Sequence, residues 1–202
     1  MEIDKIMSIL GQEYKQKAVV SSKDPFKVLI STVLSQRTKD ANTTKASKQL
    51  FEKASTPKEI LKLKSKELED LIRPSGFYKQ KAKKIKEICQ IILKEYNGKV
   101  PDTIEEMIKL PGVGRKTANC TLVYGFGKPG VCVDVHVHRI SNRLNLVKTK
   151  TPEQTESELR KTLPKKYWKT INNLLVKHGQ NVCKSKPKCE NCPIKEHCDA
   201  GK

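Results

Sequence analysis

Leu110-Pro111-Gly112-Val113-Gly114-Arg115-Lys116-Thr117-Ala118 is the stretch on which the reading of this chain turns. It lies between two segments that read as helices, Thr103 to Leu110 before it and Lys116 to Tyr124 after it. Pro111-Gly112 ends the first and Gly125 closes the second. The two glycines permit a tight turn and leave the backbone bare. Their amide N–H groups, with the N-terminus of the following helix, offer a concave set of donors to an anion. Val113 can anchor the turn in the core. In form this is a helix–hairpin–helix, a sequence-independent grip on a DNA phosphate. Gly112, Val113, Gly114 and Arg115 are its expected DNA-binding residues. A lone Gly-x-Gly would read as a steric turn; Leu-Pro ahead and Arg-Lys-Thr-Ala behind make the stretch specific. The motif alone does not define an enzyme, since polymerases and ligases use similar hairpins only for grip.

Outward from the hairpin the chain reads as helices almost throughout. Toward the N-terminus, Lys81 to Tyr96 is amphipathic, with Ile85, Ile88, Ile92 and Leu93 on one side, and Asn97-Gly98 stops it. Ser65 with Leu68, Leu71 and Ile72 gives a short helix. Thr56-Pro57-Lys58-Glu59 opens another as a capping box. Asp24-Pro25 starts a buried one over Phe26 to Leu34, and Ile3, Ile6, Met7 and Leu10 repeat at helical spacing. Toward the C-terminus, Asp134 to Leu144, Thr151 to Pro164 and Trp168 to His178 complete the set. Val131 to Val137 is the one β-branched run, and its charged and His positions suit a loop entering a helix. The expected fold class is all-α.

Lys and Arg total 41 against 22 Asp and Glu, a formal charge of +19. Such an excess points to a polyanion, with nucleic acid first, because each neutralised phosphate releases a condensed counterion. The bland alternative is solubility or a Lys-rich genome. No apolar run approaches the roughly 20 residues that span a bilayer. The start, Met1-Glu2-Ile3-Asp4-Lys5, lacks the basic and apolar regions of a signal peptide. A cytoplasmic protein is expected, or a nuclear one in a cell with a nucleus. In that reducing setting seven cysteines suggest metal rather than disulfides. Cys183, Cys189, Cys192 and Cys198 form a Cys-x5-Cys-x2-Cys-x5-Cys pattern. Four thiolates can hold zinc or a [4Fe-4S] cluster, and spacing alone favours neither. Cys89, Cys120 and Cys132 lie on apolar stretches and read as core residues.

Four blocks together resemble the endonuclease III family of DNA glycosylases, over Phe26 to Cys198. They are Leu34-Ser35-Gln36-Arg37-Thr38-Lys39-Asp40, the hairpin, Val133-Asp134-Val135-His136-Val137-His138-Arg139, and the cysteine tail after His178-Gly179. The resemblance implies a bifunctional glycosylase and AP lyase of base-excision repair. Lys116 falls on the family's nucleophilic lysine and Asp134 on its catalytic aspartate, eighteen residues further on. Breaking a glycosidic bond builds positive charge on the sugar, which a carboxylate stabilises. An amine attacking the anomeric carbon then gives a Schiff base, and β-elimination from it cuts the strand. Lys116 as a phosphate contact and Asp134 as a helix cap are the plainer roles.

The damaged base must leave the stack. Pro74-Ser75-Gly76-Phe77-Tyr78-Lys79-Gln80-Lys81-Ala82 resembles the family's wedge loop, with Phe77 at the inserted position; a core aromatic is the alternative. Arg37 stands where relatives often carry a Gln that fills the vacated space. His136 matches a His that supports its loop, while Arg139 and Arg143 suit a phosphate or a carboxylate partner. The resemblance favours a [4Fe-4S] cluster on Cys183, Cys189, Cys192 and Cys198, although the first gap is one residue shorter than usual. Lys186 and Lys188, in the basic loop between the first two cysteines, are expected to rest on DNA phosphates.

These implications add up to two helical subdomains with double-stranded DNA bound in a cleft between them. Residues 24–130 would form the central one; 1–23 and 131–202 would form the other, carrying the cluster. Lys116 would face Asp134 at the cleft. The implied substrate is duplex DNA with an oxidised pyrimidine such as thymine glycol, or an abasic site, and the implied state is a monomer. Adenine-mismatch glycosylases and those acting on uracil or thymine opposite guanine usually lack a lysine at this position. The former also carry a further domain, whereas this chain runs four residues past Cys198. Outside the enzymes, the rival is a non-catalytic DNA-binding module.

Overall fold

Asp24 fixes the first helix start of the central part of the chain. Its Oδ1 accepts from the N–H groups of Phe26 at 2.8 Å and Lys27 at 3.3 Å, and Pro25 follows where a missing N–H costs nothing. The same device recurs. Thr56 and Glu59 close a capping box, while Thr103 accepts from Glu106 N–H and Thr151 from Gln154 N–H, both at 3.3 Å. Each such side chain is worth about 1 kcal/mol at a helix end.

The computed structural model describes residues 2–14 and 23–201, and these contain helices, turns and no strand. In chain order the helices are α1 (Glu2–Glu13), α2 (Pro25–Ser35), α3 (Asp40–Lys53), α4 (Pro57–Lys62), α5 (Ser65–Ile72), α6 (Tyr78–Glu95), α7 (Ile104–Met107), α8 (Arg115–Cys120), α9 (Val135–Arg143), α10 (Pro152–Thr162) and α11 (Ile171–Asn181). The chain divides into two compact units, Val20–Lys128 and Met1–Val19 with Pro129–Lys202. Most of the segment before Asp24, where the sequence places a domain boundary, lies outside the described residues.

In the central unit α2 is apolar nearly all round, burying Phe26, Val28, Leu29, Ile30, Val33 and Leu34. It packs against α3, α6 and α8, as a helix buried on every side must. α3 is the helix the sequence did not mark. Its sequence is polar, it buries only Ala46 and Leu50, and no side chain caps it. α6 begins at Tyr78, three residues earlier than the apolar pattern suggests, and stops where Asn97 and Gly98 take positive φ. α8 runs on as a π-helical turn, Thr121–Gly125, in which the Phe126 N–H reaches Thr121 O at 3.2 Å. That widened turn brings Gly125 against α2, where an added Cβ would lie 2.7 Å from Pro25 Cα.

The second unit closes around Ile6, Leu10, Val137, Ile140, Leu159, Ile171, Leu174 and Leu175. α1 lies on α11, and α9 packs on both α10 and α11. The run Val131–Val133 is buried without pairing as a strand; Asn172 Nδ2 donates to Cys132 O at 3.0 Å and holds it. α11 begins at Ile171 rather than Trp168. Trp168 sits instead in a turn, its indole N–H donating to Leu163 O at 2.9 Å. Among the described residues no helix is long and apolar enough to cross a membrane. Gly125→Ala, which forces a methyl group against the Pro25 backbone, is expected to destabilise the protein by about 1–3 kcal/mol, measured by urea denaturation.

Candidate active site

The hairpin is built from the glycine outward. Gly112 has φ +75°, and an added Cβ would lie 2.8 Å from Lys84 Cδ. An L-residue there would be strained by about 1–2 kcal/mol as well as crowded. Val113 is buried, and its N–H donates to Leu110 O at 3.1 Å. Gln36, at the end of α2, donates from Nε2 to Gly112 O at 2.9 Å. The sequence reading gave Gln36 no role, although it stands inside one of the blocks singled out. Gly114 caps α8 with an extended backbone that any residue could adopt, and nothing lies within 4 Å of the place its Cβ would take. Its smallness therefore keeps space open rather than satisfying the fold. Arg115 and Lys116 are the first two residues of α8, and both are exposed.

Two further loops of the central unit carry residues in the left-handed region. Arg37 has φ 53° just after α2, and Phe77 has φ 47° just before α6, following Gly76 at φ 63°. Non-glycine residues pay about 1–2 kcal/mol for this conformation. Both side chains are exposed, Phe77 by 57%. The core alternative for Phe77 is thereby excluded.

In the second unit Asp134 is the N-cap of α9. Its Oδ1 accepts from the N–H groups of His136 and Val137, both at 2.9 Å, so the carboxylate is half-buried and fixed in direction. Val135, next in the chain, is 64% exposed; nothing in the alternating run around it marks that position. His136 Nδ1 lies 3.1 Å from Arg139 Nη2, and its ring abuts Gly179, where an added Cβ would come within 2.4 Å of Nδ1.

Arg139 and Arg143 differ from expectation. Arg139 Nη2 donates to Cys183 O at 2.8 Å. Arg143 donates to Cys183 Sγ at 3.2 Å, Lys184 O at 2.6 Å and Ser185 O at 2.9 Å. Both guanidinium groups thus hold the cysteine loop, and among the described residues neither pairs with a carboxylate. The short gap between Cys183 and Cys189 is closed by Lys188 N–H on Val182 O at 3.1 Å, and Lys186 and Lys188 remain exposed.

Cys183, Cys189, Cys192 and Cys198 line one cavity of about 230 Å³, with Ile140, Leu144 and Ile194 among its apolar walls. Among the described residues no three Cys, His, Asp or Glu side chains gather closely enough to hold a single metal ion. A tetrahedral zinc needs four sulfurs about 2.3 Å from one point. Thiolates set around a cavity suit a cluster in which several irons each take one of them. Buried His178 lies beside this cavity, its Nε2 3.7 Å from Cys192 Sγ and its Nδ1 3.0 Å from the Tyr14 hydroxyl. Burial lowers its pKa to about 4. Cys89, Cys120 and Cys132 are buried elsewhere, and burial pushes the Cys89 thiol up to about 12, leaving it unreactive.

These features define a helix–hairpin–helix protein of DNA repair: residues 30–165 match the HhH-GPD superfamily base excision DNA repair protein. Endonuclease III of Thermotoga maritima is 58% identical over 177 residues, 87% of this chain and 83% of that protein. The Rickettsia conorii enzyme is 39% identical over 98% of this chain and 95% of its own. A solved endonuclease III–DNA complex, a trapped covalent intermediate, superposes with a TM-score of 0.88 at 35% identity, covering 99% of this chain and 95% of that one. The chain belongs to the endonuclease III family within that superfamily. It is a DNA-binding glycosylase and AP lyase of base-excision repair.

Gly112→Ala is expected to lower stability by about 1–2 kcal/mol. Gly114→Ala should leave stability within about 0.5 kcal/mol while weakening binding to duplex DNA. Denaturation curves beside fluorescence-anisotropy titrations separate the two.

Proposed function

We propose that the chain removes oxidised pyrimidines such as thymine glycol from duplex DNA, processes abasic sites, and then cuts the strand, with Lys116 as nucleophile and Asp134 as its carboxylate partner. The observation that carries this reading is the presence of a lysine at the head of α8, directly after the hairpin turn. The hairpin amides and the N-terminus of α8 receive a phosphate. The Lys116 amine attacks the anomeric carbon of the extruded nucleotide, the base leaves with the electrons of the glycosidic bond, and Asp134 balances the charge on the sugar and takes a proton from the amine. The C1′–O4′ bond then opens, its electron pair staying on O4′, which takes a proton, and the protonated Schiff base so formed acidifies the neighbouring C2′ hydrogen. Loss of that proton expels the 3′ phosphate. The capping bonds to Asp134 hold its carboxylate ready without rearrangement.

Phe77 serves as the wedge that enters the stack, and Arg37 takes the space or the orphaned partner that the extruded base leaves. Both are exposed on loops whose strain is met by the surrounding structure. Cys183, Cys189, Cys192 and Cys198 hold a [4Fe-4S] cluster, which when bound cross-links the loop that presents Lys186 and Lys188 to phosphates. Arg139 and Arg143 orient that loop from beneath. The protein acts as a monomer in the compartment that holds its DNA.

Borohydride trapping on a thymine-glycol duplex tests the chemistry. A covalent protein–DNA band is expected with the parent protein and none with Lys116→Ala, which should still bind the duplex. Asp134→Asn should trap at a rate lowered by about 10²-fold or more. Absence of the band from the parent protein, with binding intact, excludes the Schiff base. For the cluster, Cys192→Ala should lose iron and the brown absorbance; an unchanged iron content would remove Cys192 from the ligand set.

A further inference from the structure

Lys81 is 5% exposed, yet among the described residues no carboxylate pairs with it. Its Nζ donates to Leu34 O at 2.7 Å, Thr38 Oγ1 at 2.8 Å and Ser75 O at 2.8 Å. Thr38 Oγ1 also donates to Ser75 O, and it lies 3.1 Å from Gln36 O. A buried cation held only by neutral oxygens is expensive, and burial lowers the Lys81 pKa to about 8. An apolar residue of the same length would avoid that cost. The arrangement of its three acceptors says what the ammonium does.

Leu34 and Thr38 lie on either side of Arg37, and Ser75 lies two residues before Phe77. Arg37, Gly76 and Phe77 are all held at positive φ. The Lys81 backbone N–H donates to Phe77 O at 3.0 Å, so the residue holds the Phe77 loop from both its main chain and its side chain. Gln36 ties the same α2 loop to Gly112 O in the hairpin. One turn along α6, the Lys84 stem covers Gly112. Only an ammonium has the three hydrogens to serve all three acceptors; a neutral amine has two and a thioether none.

We propose that Lys81 is a positioning residue for base extrusion: its buried ammonium locks the Arg37 loop to the Phe77 loop, so that the two side chains enter the DNA as one rigid pair. This rests on the reading of Phe77 as wedge and Arg37 as gap-filler. Two strained loops left independent would relax separately, and the wedge would have to pay its ordering entropy while entering the stack. Tied together through one group, they are ordered beforehand. Lys81 touches neither DNA nor the reacting atoms in this assignment.

The experiment compares single-turnover excision of thymine glycol from two duplexes, one with the lesion paired and one with it inside a small unpaired bubble, where extrusion is already largely accomplished. Lys81→Met keeps the stem and removes the donors. It is expected to slow excision from the paired duplex by about 10²-fold, to slow the bubble substrate far less, and to leave affinity for undamaged duplex unchanged. A 2-aminopurine opposite the lesion should brighten more slowly on mixing. Lys81→Arg should restore part of the paired-duplex rate. Thr38→Val, which removes one of the three acceptors without burying a new group, should show the same pattern more weakly and guards against misfolding of the methionine variant. Equal losses on both substrates would mean that Lys81 merely supports the fold, and would overturn the proposal. Phe77→Ala, run in parallel, separates the two readings. If it slows the paired duplex while Lys81→Met and Thr38→Val do not, the Lys81 proposal fails alone. If Phe77→Ala has no effect, the wedge reading fails and takes this proposal with it.

Discussion

The turn between α7 and α8 closes because Gly112 adopts φ +75° with Lys84 packed where a Cβ would stand, and what the central unit offers to DNA hangs on that turn. It frees the amides at the head of α8, places Lys116 in the first turn of that helix, and presents a carbonyl to which Gln36 ties the end of α2. From Gln36 the connection passes through Thr38 and Lys81 to the Phe77 loop. A backbone conformation that favours glycine thus links three loops that are far apart in sequence. The energies involved are small individually, about 1 kcal/mol per hydrogen bond, but together they tie the three loops to one another.

The second unit solves a different problem with the same parts. Asp134 is a cap first: two N–H groups at 2.9 Å fix its carboxylate at the head of α9. The carboxylate gains its fixed direction from the helix it starts. At the other end of α9, Arg143 gathers the carbonyls of Lys184 and Ser185 and the sulfur of Cys183. The cysteine loop therefore has a shape supported by protein hydrogen bonds, and its four cysteines line one cavity.

Much of this was legible in the residues. Asp24-Pro25, the Thr56–Glu59 box, the Asn97-Gly98 stop and Gly112 announce their geometry, since each is a residue type that a cap or a left-handed turn favours. Periodicity found the apolar helices, and failed at α3 because two buried residues in fourteen make no stripe. It also set α11 three residues early, at Trp168, because a bulky apolar residue before a helix looks like its first turn. The all-α class could be read from helical periodicity and its start and stop signals, and the repair activity from the resemblance of four blocks to a known family. Contacts between distant polar groups could not. Arg139 and Arg143 look like surface arginines until their carbonyl partners are seen, and nothing in Gly-Phe-Tyr-Lys-Gln-Lys-Ala distinguishes the buried Lys81 from exposed Lys79 two residues earlier.

The second unit is discontinuous along the chain: α1 packs on α11, and the whole central unit is threaded between them. During synthesis this imposes an order. Ribosomes add about 5–20 residues per second, so α1 emerges on the order of ten to thirty seconds before the partner that covers Ile3, Ile6, Met7 and Leu10. Through that interval a short amphipathic helix has no core to join and, at twelve residues, little stability of its own. The central unit, a single continuous stretch of the chain, has its full sequence available first. The unit that carries the hairpin can therefore be assembled while the unit that carries Asp134 and the cysteines is still waiting for its last helix.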